Sequence, residues 1–434
     1  MSDTTEQVTH MKTRAPGPLT IVVGAGNQQF RSYGLRSIGE RFSVALLDER
    51  PPAWAMTYAA VSRAVDLHDH EAVFAATREL GYRHEIAGVM TYMEHHVHLA
   101  ARLAEHLHTP GSPSESVAAA RDKHATRTLL AAATVPSARS LLVASEDAAA
   151  RNAAELGYPV VLKPRSMGGS AGVRRADSEA EVREAFRAAR FARALGLEAT
   201  GEPGVLLEEY LHGPEISVEC VVLGPGDVHV VAVTHKQLGP EPVFEEVGHV
   251  VDATDPLTSD PRIHQVATAA LDAVGITHGV MHLEMRLIDG INPHIIEINA
   301  RLGGDLIPHL VYLATGVNLP IVAAALASGQ RVRALDLQHT RAGTAAVRFI
   351  YPSSSGRVVR LTLPSFYTSW LDTCTATAHP GDEVSAPPHA TILDRLAHVV
   401  VTGDSPDICH DRLSLTIRNI DVTIAPTRGQ ACVA

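Results

Sequence analysis

The chain has 434 residues with a formal net charge of −11, and 45% of its residues are hydrophobic while 20% are charged. This length allows about three domains, and the hydrophobic fraction excludes a disordered chain. The acidic balance argues against nucleic acid bound by bulk charge, and no run approaches the ~18 apolar residues of a membrane span. The four cysteines form no CxxC pair, and the polar N-terminal segment does not resemble a signal peptide. We therefore expect a cytoplasmic protein that binds neither nucleic acid nor a membrane.

The first part of the chain predicts a doubly wound α/β domain over residues 18–114, preceded by a flexible tail at 1–17. Strands that alternate with helices are typical of this fold class. A helical stretch is predicted at 94–107. Short apolar runs, each typical of a buried parallel strand, lie at 19–23, 44–47 and 85–90.

A glycine pair follows the first predicted strand. Gly24 and Gly26, with Asp48 at the end of the next strand, match part of the fingerprint of dinucleotide-binding domains. Gln29 occupies the position of the third glycine, so the match is incomplete. A tight turn between strand and helix is the better interpretation.

The composition changes after residues 110–114, which are rich in proline, glycine and serine. Residues 115–330 predict an α+β domain, and residues 331–434 predict a small mixed α/β domain. Predicted helices lie at 115–133, 178–195 and 261–274. Predicted strands lie at 160–163, 205–209, 215–223, 228–234, 343–351 and 398–402.

A predicted strand ends at Lys163 and is followed by a loop of small residues. Glycines let backbone N–H groups approach phosphate oxygens closely, and a lysine adds a positive charge. The loop lacks the GK[ST] of a Walker A motif and no helix follows at once, so it is not a Walker A loop, and taken alone it would also fit a glycine-rich hairpin turn. Its small residues are Ser166, Gly168, Gly169, Ser170 and Gly172.

Two alternating segments on either side of residues 289–293 predict a β-hairpin. A turn centred between residues 290 and 291 places Glu284 opposite Glu297, and His282 opposite Asn299. Like charges directly opposite each other destabilise a sheet by up to about 1 kcal/mol, so stability alone explains this pair badly. Two carboxylates and an amide on one face suit Mg²⁺ that bridges nucleotide phosphates. Arg301 lies on the same face, where it could stabilise a transferred phosphoryl group or a developing oxyanion.

These motifs, together with Lys123 and the segment 208–211, occur in an order that resembles the ATP-grasp enzymes over about residues 85–330. The resemblance implies an α+β domain whose two lobes, one of them about residues 136–212, clasp ATP. It implies ATP and Mg²⁺ as cofactors, with two metal ions and Mn²⁺ as a substitute. The implied metal ligands are Glu284, Glu297 and Asn299. The implied nucleotide-binding residues are Lys123, Lys163, Ser166, Gly168, Gly169, Ser170, Glu208, Glu209, Leu211 and Glu215.

Within that superfamily, segments 244–249, 298–304 and 395–404 resemble the L-amino-acid ligases that form dipeptides. The resemblance implies a homodimeric carboxylate–amine ligase that acts on small molecules through an acylphosphate and releases ADP and phosphate. The implied catalytic residues are Arg301, Lys163, Glu246 and His249. The implied substrate residues are Glu246, His249, Arg301, Gly303, Gly304 and Asp305.

Some features leave the function open. In some relatives a bulky aromatic residue stands at the position of Asp305, so an acid there predicts a different substrate. A biotin-carboxylase-like or purine-pathway reaction is the alternative, and a non-catalytic nucleotide-binding protein is a remote one. The segment 94–98, which contains three histidines, is predicted to be a solvated helix face. His235 and Lys236 either approach the nucleotide or substrate or form a surface pair.

Overall fold

A computed structural model describes residues 17–192, 204–239 and 241–426. The strands are β1 (Leu19–Val23), β2 (Ser43–Asp48), β3 (Val61–Ala64), β4 (Ile86–Met90), β5 (Ser140–Val143), β6 (Val160–Pro164), β7 (Arg174–Ala176), β8 (Val205–Glu209), β9 (Glu215–Gly224), β10 (Asp227–Leu238), β11 (Glu246–Asp252), β12 (Gly279–Ile288), β13 (Asn292–Asn299), β14 (Thr344–Ile350), β15 (Gly356–Thr362), β16 (Leu371–Ala376), β17 (Glu383–Val384), β18 (Ala397–Gly403) and β19 (Asp421–Ala425).

Helices connect many of these strands. They are α1 (Gln28–Gly39), α2 (Ala53–Met56), α3 (His70–Gly81), α4 (Val97–His106), α5 (Ser114–Arg121), α6 (Lys123–Ala132), α7 (Glu146–Leu156), α8 (Glu179–Arg190), α9 (Pro261–Ala273), α10 (Ile307–Thr315), α11 (Leu319–Ala327) and α12 (Pro406–Ile417). Short 3₁₀ turns lie at Glu94–His96, Pro256–Ser259, Ala334–Leu337 and Ile392–Asp394.

The N-terminal region is a parallel sheet in the order β3-β2-β1-β4, with helices between its strands. The expected α/β region is therefore confirmed. Its third strand in chain order, β3, is only partly buried. This explains why the sequence contains no apolar run that predicts it. The Asp48 carboxylate accepts a hydrogen bond from the backbone N–H of Ala25 at 2.8 Å. This bond closes the turn after β1, as expected of a structural turn.

Two antiparallel sheets form the sheet-rich central region. The smaller has the order β5-β8-β6-β7 and packs against α7 and α8. The larger has eight strands in the order β13-β12-β9-β10-β11-β14-β18-β16. Its last three strands come from residues beyond 331, so the central and C-terminal parts share one continuous sheet. A third small sheet, β17-β15-β19, completes the C-terminal part. The division into domains at 114 and 330 stays a proposal.

The β12–β13 hairpin has the predicted register. Glu284 pairs with Glu297 and His282 with Asn299, and a bulge follows Glu284. Alternation of side chains across the two strands sets this register, because a slip by one residue would move the apolar side chains out of the core.

The predicted helix at 115–133 is two helices that break at Asp122. The backbone of Asp122 is extended, with φ −86° and ψ 101°, and its side chain accepts hydrogen bonds from the N–H groups of His124 and Ala125. Asp122 therefore caps α6 and makes Lys123 the first residue of that helix. A capping residue inside an otherwise helical pattern produces such a break. The predicted helix at 178–195 ends at Arg190, and residues 193–195 lie outside the described part of the chain.

Among the described residues, no single helix is both long and apolar enough to cross a membrane. α10 and α11 reach that length and hydropathy only when taken together, and they are bent by 108°. Most of their residues are buried in the core.

Candidate active site

A cleft lies between the smaller antiparallel sheet and the β12–β13 hairpin. The predicted residues that line it are Lys123, Lys163, Gly168, Gly169, Ser170, Glu208, Glu209, Leu211, Glu215, Glu246, Glu284, Glu297, Asn299 and Arg301. Gly304 and Asp305 line an adjoining cavity instead. Ser166, His249 and Gly303 line neither space. The fold thus brings most of the predicted set together from segments more than 170 residues apart.

Lys163 on β6 and Glu208 on β8 form the floor of the cleft. The Lys163 Nζ atom lies 2.6 Å from Glu208 Oε2, and Arg127 Nε donates to Glu208 Oε1 at 2.8 Å. Desolvation opposes ionisation of Glu208, but Arg127 and Lys163 outweigh it and lower its pKa to about 2. Desolvation also lowers the pKa of Lys163 to about 8, although Glu208 opposes that shift. Arg127, one helical turn after Lys123, was missed in the sequence although that spacing places both on one face of α6.

We predict that Glu208→Gln destabilises the protein by about 3–5 kcal/mol at pH 7, since it leaves two buried cations without their carboxylate. The folded-state pKa of Glu208, about 2, lies below the ordinary value of 4.5. Its stabilising effect is therefore complete above pH 4.5 and is lost as the pH falls toward 2. Urea denaturation of wild type and variant should show a difference in unfolding free energy that shrinks over this range.

Glu209→Gln is the matched control, because Glu209 pairs with the exposed Arg139. We expect a change of at most about 1 kcal/mol for it. A difference between wild type and Glu208→Gln as large at about pH 3 as at pH 7 would contradict the low pKa.

Lys123 joins the glycine-rich loop to the predicted metal hairpin. Its Nζ atom donates to the carbonyl oxygen of Met167 at 2.6 Å and lies 3.3 Å from Glu297 Oε1. The side chain is buried, so both contacts are made away from bulk water. Lys123 therefore holds the loop close to the carboxylate that faces Glu284.

An aromatic pair lies at the other end of the cleft. The rings of Tyr210 and Phe244 are stacked with centroids 6.3 Å apart, and the Arg286 guanidinium lies 5.0 Å and 5.4 Å from the two centroids. Arg286 also donates to the carbonyl oxygen of Leu211 at 2.9 Å and to Glu215 Oε2 at 3.2 Å. The predicted nucleotide residues Leu211 and Glu215 are thus positioned by Arg286, which follows Glu284 at the next inward position of β12.

Lys236 is buried inside the site and is not a surface residue. Its Nζ atom lies 2.7 Å from Glu246 Oε1, 3.0 Å from Glu284 Oε1 and 3.5 Å from Glu215 Oε1. Desolvation opposes its charge, but these three carboxylates raise its pKa well above the ordinary value. The neighbouring His235 is partly exposed and contacts Asp255 at 2.5 Å, so the two adjacent residues have different roles.

The predicted metal ligands offer oxygen atoms only. Glu284 and Glu297 face each other across the hairpin, and the Asn299 amide lies two pairs further along, on the same face. Such donors fit a hard cation, and a dication between facing carboxylates would remove their repulsion. The carboxylates of Glu215, Glu246 and Glu284 also lie within 4.8 Å of one another, but the Lys236 ammonium already contacts all three.

The prediction for residues 94–98 is wrong. Glu94 Oε2 accepts a hydrogen bond from Arg301 Nε at 2.5 Å, and Glu94 Oε1 accepts one from Arg121 Nε at 3.3 Å. His96 is buried as well. A 3₁₀ turn precedes α4, so helical spacing did not describe which way these side chains point. Glu94 orients Arg301, whose Nη2 atom donates to Asn299 Oδ1 at 3.3 Å.

His249 lies beside Glu246 and Asp305 and is fully buried. Its Nε2 atom lies 3.2 Å from Glu246 Oε2 and 3.7 Å from Asp305 Oδ2. Neither ring nitrogen makes a well-aligned hydrogen bond. Desolvation disfavours the imidazolium, but Asp305 and Glu246 raise the pKa of His249 above its ordinary value. These carboxylates therefore favour the protonated ring.

Gly303 allows a second histidine to approach the backbone. A Cβ atom at Gly303 would lie 3.1 Å from His282 Nδ1 and 3.2 Å from Glu219 Oε2. His282 Nδ1 lies 2.7 Å from Glu219 Oε1, and its Nε2 atom lies 3.4 Å from Glu284 Oε1. Desolvation opposes protonation of His282, but Glu219 and Glu284 raise its pKa to about 9. Gly303 thus packs against His282 of the hairpin and lines neither the cleft nor the adjoining cavity.

Comparison with known proteins identifies the family model that this chain matches. A model described as "ATP-grasp domain" matches residues 156–309. The chain is 30% identical to a D-alanine–D-alanine ligase of Desulforudis audaxviator over 47% of this chain and 72% of that protein. It is 29% identical to an uncharacterized protein of Sinorhizobium fredii, over 83% of this chain and 73% of that protein.

Among solved structures, an L-amino acid ligase from Bacillus licheniformis superposes with a TM-score of 0.77 at 21% identity. The superposition covers 95% of this chain and all of that one. Biotin carboxylases have the same fold at 16 to 18% identity, and one of them, from Hydrogenobacter thermophilus, was solved with MgADP. At these identities the structural likenesses establish the fold alone.

Proposed function

The chain belongs to the ATP-grasp family of carboxylate–amine ligases, and from that premise we propose that it uses ATP to join an amino acid to an amine or a second amino acid. The observation that carries the proposal is the convergence of Lys123, Lys163 and the glycine-rich loop on the Glu284–Glu297 pair in one cleft. Cationic groups and N–H donors suit phosphates, and the facing carboxylates suit their counterion.

The proposed reaction has two displacements. A carboxylate oxygen of the first amino acid attacks the γ-phosphorus of ATP, and ADP leaves. The amine nitrogen of the second substrate then attacks the acyl carbon, phosphate leaves, and one proton is released as the amide forms. Phosphorylation is needed because a carboxylate is a poor electrophile and lacks a good leaving group, whereas an acylphosphate expels phosphate readily. Catalysis of this kind rests mainly on positioning and on stabilisation of charge.

Three cationic side chains, those of Lys123, Lys163 and Arg301, have a place in this scheme. Lys123 and Lys163 bind the nucleotide phosphates, and the loop that contains Ser166, Gly168, Gly169 and Ser170 covers them with its N–H groups. Arg301, which Glu94 and Asn299 hold in place, stabilises the negative charge that develops at the reacting carboxylate. Closure of the loop excludes water, which would otherwise hydrolyse the acylphosphate.

Enzymes of this family use ATP with Mg²⁺, and Glu284, Glu297 and Asn299 would hold that ion. When bound, Mg²⁺ neutralises phosphate charge and aligns the transferred group. Two ions, with Mn²⁺ as a substitute, complete the proposed site. Glu246, whose pKa Lys236 lowers to about 2 against the cost of desolvation, stays ionised and binds the ammonium group of a substrate. A homodimer with a cytoplasmic location completes the proposal.

We predict that ADP and phosphate are released from ATP and Mg²⁺ only when a suitable pair of substrates is present. The test incubates the full chain with a matrix of paired amino acids, and mass spectrometry measures the products. A product lighter than the pair by one water establishes ligation. Bicarbonate with biotin, tested in the same way, is the control for the carboxylase-like alternative. Nucleotide hydrolysis that depends on bicarbonate and on no amino acid would contradict the proposal.

A further inference from the structure

A second cavity opens beside the nucleotide cleft, on the side of Arg301 and Glu246. Apart from Ile307 and Ile392, the side chains that line it are polar, and the glycines contribute none. A Cβ atom added at Gly304 would meet no heavy atom within 4 Å, so free space extends up to the backbone there. An almost wholly polar cavity of this kind suits a polar ligand group better than an aliphatic or aromatic one.

Arg395 and Asp305 form the far wall of this cavity. Arg395 donates to Asp305 Oδ1 at 2.9 Å and to Asp305 Oδ2 at 2.8 Å, in a bidentate pair. It also donates to the Tyr351 hydroxyl at 2.9 Å and to the Glu246 carbonyl oxygen at 3.1 Å. Its guanidinium carbon lies 3.7 Å from the centroid of the Phe349 ring. These contacts use nearly all the N–H groups of Arg395. Its guanidinium group is therefore not free to bind a substrate carboxylate.

Asp305 is the member of this ion pair that is more exposed to the cavity. A quarter of its side chain is exposed, whereas only 3% of the Arg395 side chain is. An ionised carboxylate has about four acceptor positions, and Arg395 uses two of them. The backbone at Asp305 and Leu306 is left-handed, with φ 48° and 68°. Residues other than glycine rarely adopt this backbone conformation. Asp305 adopts it just before α10, and it lines the cavity.

The other cations of the cavity wall are also paired among the described residues. Lys236 contacts Glu246 and Glu284, and Arg301 contacts Glu94. Beside Asp305, an anionic side chain therefore meets no free cation among the described residues, while a donor group meets open acceptor positions. His249 lies behind the wall with its Nε2 atom 3.7 Å from Asp305 Oδ2, without a well-aligned hydrogen bond. It leaves the cavity face of Asp305 open.

We infer that this cavity binds the side chain of the amino-acid substrate and that Asp305 selects a side chain that ends in a hydrogen-bond donor. The inference rests on the proposed ligase function. A cationic group is favoured most, because a hydrogen bond between two charged groups is about twice as strong as a neutral one. An aliphatic side chain of equal length would leave the Asp305 carboxylate desolvated without a new partner.

The test compares substrates of nearly equal shape that differ at the tip of the side chain. The pairs are lysine with norleucine, glutamine with glutamate, serine with alanine, and histidine with phenylalanine. We expect the best donor-bearing amino acid to exceed the other member of its pair by about 10- to 100-fold in kcat/KM for ADP release, as a hydrogen bond to a charged group predicts. Preference for norleucine, phenylalanine or glutamate, with ligation intact, would overturn this inference and leave the ligase standing.

Asp305→Asn tests the residue itself, since it removes the charge and keeps the shape. We expect it to lower the preference for the donor-bearing member at least about 10-fold through kcat/KM, and thermal unfolding monitors its folding. Asp336→Asn is the control, because Asp336 is an exposed carboxylate that pairs with the exposed Arg333. Full preference in folded Asp305→Asn would overturn the assignment to Asp305. Absence of ADP release with every amino acid, for wild type as well, would overturn the proposed function and this inference with it.

Discussion

Glu297→Gln should lower kcat for ligation by about 100-fold or more, because it removes a charged ligand from the proposed metal site. The neutral amide keeps the shape of the side chain, so the hairpin register with Glu284 should survive. We also expect weaker binding of Mn²⁺, which electron paramagnetic resonance measures independently of turnover. Together the two readouts separate a lost metal ligand from a general loss of activity.

Glu79→Gln is the matched control for that experiment, since Glu79 is exposed on α3 in the N-terminal region. It should leave both kcat and Mn²⁺ binding unchanged. We also expect Glu297→Gln to remove the ion pair with Lys123, whose Nζ atom lies 3.3 Å from Glu297 Oε1. Near-normal turnover together with unchanged Mn²⁺ affinity in Glu297→Gln would remove this residue from the site.

Lys236→Met should destabilise the chain by about 3–5 kcal/mol, because removal of one partner leaves buried charges uncompensated. The Lys236 side chain is only 1% exposed and contacts three carboxylates, those of Glu215, Glu246 and Glu284. Without the ammonium, the pKa values of these groups should rise, since their repulsion is no longer balanced. Urea denaturation measures the loss, which should be largest at neutral pH and smaller in acid, where protonation replaces the missing charge.

A double-mutant cycle with Glu284→Gln identifies the cause of that loss. If repulsion between carboxylates dominates, Lys236→Met combined with Glu284→Gln should cost less than the sum of the single variants. Lys236→Arg is the conservative control, because it keeps the charge. Additive effects in the cycle, or an equal loss in Lys236→Arg, would show that packing and not charge explains the destabilisation.

Several parts of the site were predictable because they depend on local patterns. Alternation along β12 and β13 sets which side chains share a face, and the length of the turn sets which residues face each other. The spacing of Glu284, Glu297 and Asn299 along the chain therefore suffices to place them together. A loop of small residues after the strand that ends at Lys163 is a local signal of the same kind.

Other parts could not be predicted, because the partner groups lie far away in the sequence. Glu94 is 207 positions from Arg301, and Arg395 is 90 positions from Asp305. Short-range periodicity carries no information about such pairs. The break at Asp122 also escaped prediction, because a capping residue inside a helical pattern competes with the helix only when the following turn can use it.

The amino-acid sequence by itself thus determined the α/β and sheet-rich regions, the paired carboxylates and the glycine-rich loop after Lys163, since each depends on spacing within a short segment. Only the tertiary structure decided that Lys236 is buried among three carboxylates, that Glu94 orients Arg301, and that Arg395 closes the cavity at Asp305. The physical reason is that the interaction energy of a charged group depends on its burial and on the charges around it. Both are properties of the folded chain, in which distant segments meet.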